Sequence, residues 1–134
     1  MRFMVFMLPQ SYRGNKAADM KDMKIEAFEK MGKFNDDMVK AGIVMSAADG
    51  LQPLTKGARI SFAGGKATVI DGPFVETKEV FGGYWMLEAK SKEELVNWMK
   101  RCPAEDGDIL EIRQIFEMSD FPKEVQALFA GEKK

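Results

Sequence analysis

The run Arg2-Phe3-Met4-Val5-Phe6-Met7-Leu8, closed by Pro9, decides the fold. Seven residues bounded by a proline read as a strand, too short for a membrane span or a signal sequence. Side chains alternate across a strand, so Phe3, Val5 and Met7 share one face and Met4, Phe6 and Leu8 share the other. Both faces are apolar, and both need cover. Helices supply one cover. The other calls for a second layer or a second subunit.

The rest of the chain supplies the helices. After a loop carrying Tyr12 and Arg13, the spacing of Met20, Met23, Ala27, Met31, Phe34 and Met38 predicts a helix over 16–41, capped by Gly42. The methionine stripe reads as adaptable core packing. Ile43 to Ala47 reads as a second strand, and Asp49 to Leu54 as a turn-rich link. Residues 58–62 and 67–70 flank Gly64-Gly65 as the arms of a hairpin. Gly82 to Glu88 is a third main strand, whose glycines permit a bulge or a close backbone approach. Ser91 with Glu94 opens a second helix that stops near Arg101, before Cys102-Pro103. Residues 108–116 form the last main strand, and 122–130 a terminal helix.

The order is β-α-β, hairpin, β-α-β, helix. Without the hairpin this is the split βαβ, or ferredoxin-like, βαββαβ pattern of an α+β domain. Its sheet carries two helices on one face. The bare face and the doubly apolar first strand together call for a homodimer, a dimeric α+β barrel. The 134 residues fit one domain, 1–134, with 117–134 as a C-terminal helical extension.

Composition excludes several chemistries. There is no histidine, so Ser-His-Asp and Cys-His catalysis, His-ligated haem and most catalytic zinc sites are out. The formal net charge of −1 argues against nucleic acid and anionic membranes as partners. The single cysteine, Cys102, excludes an internal disulfide and fits a reducing, cytoplasmic setting. It sits at a helix C-terminus, which disfavours a thiolate and makes packing its default role. No metal site and no cofactor are expected.

The remaining chemistry gathers at Asp71-Gly72-Pro73-Phe74-Val75-Glu76-Thr77-Lys78-Glu79. Gly72, Pro73 and Phe74 form a structural turn, with the Phe74 ring as its anchor. Asp ordinarily bonds the N–H two residues on, but Pro73 has none. Asp71 is therefore either a local cap that bonds elsewhere or a carboxylate presented to a ligand. As a catalytic base it needs burial or a carboxylate neighbour. Glu111 and Arg113 share a strand face with Ile109 and Ile115. They read as a structural pair or as cleft residues for a carboxylate ligand. Tyr12, Tyr84 and Trp85 are cleft aromatics or core.

The run Asp71 to Glu79, followed by Gly82-Gly83-Tyr84, resembles the signature of the DGPF-type branch of the YCII-related proteins. The opening strand, Gly50-Leu51-Gln52-Pro53 and Arg101-Cys102-Pro103-Ala104 fit the same branch, and the resemblance extends to about Ile115. It implies a dimeric α+β barrel with a cleft between the open sheet face and neighbouring loops. It raises Thr77 and Lys78 as ligand contacts beside Tyr84, Arg113 and Tyr12. An enzymatic role proposed for the family rests on a His–Asp pair, which this sequence lacks. The resemblance also implies an association with sigma factors of the extracytoplasmic-function type. Three readings follow: small-molecule binding in the barrel cleft, carboxylate-dependent catalysis centred on Asp71, and a regulatory protein partner.

Overall fold

The computed structural model describes residues 1–10, 24–71 and 80–132. The elements run β1 (Arg2–Leu8), α1 (Ile25–Lys40), β2 (Val44–Gly50), β3 (Ala58–Ala63), β4 (Lys66–Asp71), β5 (Gly83–Glu88), α2 (Lys92–Met99), β6 (Ile109–Gln114) and α3 (Lys123–Glu132), with short 3-10 turns at Leu54–Lys56 and Met118–Asp120. The main sheet has the order β2-β5-β1-β6, every neighbouring pair antiparallel. This is the ferredoxin-like α+β arrangement. Each crossover through a helix skips one position, so β5 lies between β1 and β2, and β1 lies between β5 and β6.

Register fixes which side chains share a face. Phe3 lies opposite Leu87 and Gln114, Val5 opposite Trp85 and Ile112, and Met7 opposite Gly83 and Leu110. This face packs on Phe34 and Met38 of α1 and on Leu95 and Met99 of α2, closing the core with Ile43 and Ala89. Inside it the Trp85 indole N–H donates to Asn35 Oδ1 at 2.9 Å, and the Phe34 ring meets the indole edge to face at 6.5 Å. A buried indole without an acceptor would be costly, so this bond places α1 against β5.

Local chemistry accounts for the element ends. Ser91 caps α2 by accepting the Glu94 N–H at 3.1 Å. Gly64 and Gly65 take φ of 58° and 75°, the two left-handed positions of a type I′ turn, which suits the twist of β3 and β4. At Gly83 a Cβ would stand 3.1 Å from the Asp49 carbonyl, so β2 and β5 approach closely only because no side chain is there.

Two boundaries differ from the sequence reading. The helix expected over 16–41 begins at Ile25, after Lys24 in an extended conformation (ψ 139°). Met20 and Met23, the first members of the expected stripe, lie outside the described residues. The stripe is real where α1 meets the sheet, at half-buried Met31 and buried Phe34 and Met38, while Ala27 is exposed. A three-and-four spacing registers no stop signal, so it ran on past the helix start. β2 extends to Gly50 where the sequence placed a turn from Asp49. Pairing with β5 overrides the weak strand preference of Asp and Gly, and an irregularity between Met45 and Ala47 resets the register.

The C-terminal extension is tied to the sheet. Arg2 donates twice to Glu117, at 2.9 and 3.1 Å, and the Ile115 N–H bonds the Arg2 carbonyl at 2.9 Å. Phe116, Phe121 and Phe129 then meet in series, the first pair tilted and the second edge to face, with centroids 5.2 and 5.8 Å apart.

Candidate functional site

The face of the main sheet opposite the helices carries the second half of every register pair. Across the strands, Ala47 lies beside Met86, Met4 and Arg113, and Asp49 lies beside Tyr84, Phe6 and Glu111. Leu8 and Ile109 form the next row. The apolar members make a central floor, and the Phe81 ring stacks on Phe6 at 4.6 Å with 28° between planes. Met4, Phe6 and Met86 are half-buried, and Phe81 and Ile109 are exposed.

Polar groups flank the floor on both sides. On the β2–β5 side, the Tyr84 hydroxyl donates to Asp49 Oδ2 at 2.9 Å. That bond, and the negative charge of Asp49, hold the Tyr84 proton above the usual tyrosine range. On the β6 side, Arg113 stands 3.7 Å from Glu111, with both side chains well exposed. So loose and solvated a pair leaves the guanidinium able to take a better carboxylate or phosphate. β1 separates β5 from β6, so the two polar edges are roughly 10 Å apart, two strand spacings. A flat apolar body with a polar group at each end matches that pattern.

The sequence-derived candidates divide into three groups. The fold brings Tyr84 and Arg113 onto this one face. Asp71 ends β4, exposed, in the two-stranded sheet and not the main one, and among the described residues its carboxylate has no bonded partner. Tyr12, Gly72, Pro73, Phe74, Thr77 and Lys78 lie outside the described residues. Trp85 points into the core instead of the face. Asp49 is the site residue that sequence reasoning missed. It sits one strand period from Ala47, but the expected end of β2 at Ala47 left it in a turn.

No polar or charged side chain among the described residues is buried. Among these residues no group of three or more metal-ligating side chains converges. Burial, helped by Asp108, pushes the Cys102 thiol up to about 11, so it is protonated at neutral pH and packs as a small apolar group. The helix side holds a separate shallow cleft of about 240 Å³ between α1 and α2, lined by Lys30, Lys33, Phe34, Asp37, Trp98, Arg101 and Pro103. Its one acid already bonds Lys33 at 3.2 Å, and the Arg101 guanidinium lies 4.5 Å over the Trp98 ring.

A ferredoxin-like α+β fold with a polar-edged sheet face opposite its helices and an exposed hairpin is the class that fold and site define. Residues 1–119 match the YCII-related domain, and the chain belongs to that family. Comparison with curated proteins finds no match. No helix among the described residues is long and apolar enough to cross a membrane.

Proposed function

We propose that this protein binds a small molecule on the open sheet face, within a homodimer that encloses that face as a barrel. The observation that carries the reading is the pattern on the face itself. Met4, Phe6, Met86 and Phe81 form an apolar floor, Asp49–Tyr84 stands on one side, and Arg113 stands on the other. Floors of this kind bind the body of a ligand, and the few polar groups orient it. The Asp71 to Glu79 run supports placing the chain in the DGPF-type branch. The single cysteine supports a cytoplasmic, reducing location, and the net charge of −1 supports a ligand other than nucleic acid.

A thermal-shift screen of small aromatic and aliphatic acids tests the reading. Hits should raise the melting temperature of the wild type, less that of Tyr84→Phe, and least that of Arg113→Gln. Hits that survive both substitutions place the site elsewhere. Asp71→Ala belongs in the same screen. A variant that binds ligand yet loses turnover supports carboxylate catalysis centred on Asp71. A second reading has its own observation. The hairpin exposes Ile60, Phe62 and Val69, an apolar surface suited to a protein partner such as a sigma factor.

A further inference from the structure

The helix side carries a cluster that the open sheet face does not use. Lys30, Lys33, Phe34 and Asp37 occupy positions i, i+3, i+4 and i+7 of α1, so they share one flank of that helix. Trp98, Arg101 and Pro103, at and beyond the end of α2, complete a cleft of about 240 Å³. Its base is firm. Phe34 is buried, and Trp98 is half-buried against the core. Its rim is charged. Three cations and one carboxylate line the cleft, so two positive charges are left over, on a chain whose formal net charge is −1. Asp37 bonds Lys33 at 3.2 Å. Among the described residues no carboxylate bonds Lys30 or Arg101.

We infer that this cleft binds a small organic phosphomonoester, with the phosphate between Arg101 and the two lysines and the organic group on Phe34, Trp98 and Pro103. The site is separate from the open sheet face, and neither reading depends on the other. Arg101 sets the phosphate end. Its guanidinium lies 4.5 Å over the Trp98 ring. That attraction holds the cation in place without a carboxylate, so its fork of N–H donors is ready for two phosphate oxygens before a ligand arrives. A phosphomonoester carries close to two negative charges at neutral pH. It matches the surplus in the cleft, where a single carboxylate would leave half of it. The charge count also selects a free ligand over a lipid surface. Anionic membranes are held by clusters of about four to eight basic residues, and this rim has three. Asp37 opposes the ligand, because it competes with the phosphate for Lys33.

Titration of the isotope-labelled full chain with phenyl phosphate, followed by NMR, tests the inference. The Trp98 indole and Arg101 side-chain N–H signals should shift and saturate, while the Trp85 indole, bonded to Asn35 in the core, stays in place. Phenol should move none of them, and inorganic phosphate should bind more weakly than the ester because it lacks the ring. Arg101→Gln should weaken phenyl phosphate on the order of 10-fold, since a charge-assisted fork is lost. Asp37→Asn should strengthen it by a factor of roughly 2–5, since Lys33 is released from an exposed pair. Neither side chain is buried, so both variants should keep the wild-type circular dichroism. The absence of a saturable shift overturns the inference, as does an Arg101→Gln affinity equal to wild type. So does weaker binding to Asp37→Asn, or a shift confined to the open sheet face around Tyr84 and Arg113. Inorganic phosphate bound as tightly as the ester would make this a bare anion site and overturn the ligand class. Retention on vesicles containing phosphatidic acid, with no shift from phenyl phosphate, would assign the cleft to a lipid surface and overturn the inference too.

Discussion

Replacing Asn35 by Ala should destabilise the fold by about 1–2 kcal/mol, through an indole that it does not itself bury. Trp85 is 5 % exposed, and its one polar atom is satisfied at 2.9 Å by Asn35 Oδ1. Deleting that acceptor strands a donor in the core, which costs about 1–3 kcal/mol. The lower half of that range applies because Asn35 is half-buried, and water can take part of the vacated space. Urea unfolding at fixed protomer concentration, followed by circular dichroism, reads the loss as a fall of roughly 0.5–1 M in the midpoint, for a slope of about 2 kcal/mol/M. The control is the same substitution in a Trp85→Phe background. With no donor left to strand, Asn35→Ala should cost about 1 kcal/mol less there. Equal costs in both backgrounds would refute the reasoning, because the bond would then contribute nothing to seating α1 on β5.

Leu95→Ala, at a fully buried position of α2, should cost about 3 kcal/mol by the same urea assay, and Val96→Ala, half-buried beside it, much less. Cys102 should alkylate slowly at pH 8 in the native protein and rapidly in urea, because a thiol moved from 9.0 to about 11 holds roughly 100-fold less thiolate. Its folded value is raised, so the folded chain holds the proton more tightly than the unfolded one. That stabilisation is complete below pH 9 and is lost as the pH climbs through about 11. Tyr84 should ionise above the ordinary tyrosine range in an ultraviolet pH titration and move back towards it in Asp49→Asn, since its hydroxyl bonds the carboxylate. An unchanged titration in that variant would remove the electrostatic link across the β2–β5 edge.

Much of the fold was legible in the chain. The doubly apolar Arg2–Leu8, the Ser91 cap and the Gly64-Gly65 turn are local signals, each fixed by period or by backbone chemistry within a few residues. They suffice for the ferredoxin-like order and the inserted hairpin. The absence of histidine likewise restricts the chemistry with no structure needed. The site was less legible. Tyr84 and Arg113 were legible singly, as residues of plausible type on plausible strands. Their shared face depends on the register of β5 and β6 on β1, and pairing between strands roughly 80 and 105 residues apart leaves no local mark. Asp49 was hidden for the same reason. Only its pairing with Tyr84 across β2 and β5 shows that an Asp-Gly pair is strand and not turn. The ribbon alternates apolar and polar residues, and that much is written in the sequence. That Ile60, Phe62 and Val69 stay exposed among the described residues is a fact of tertiary packing, because burial depends on what else the fold brings near.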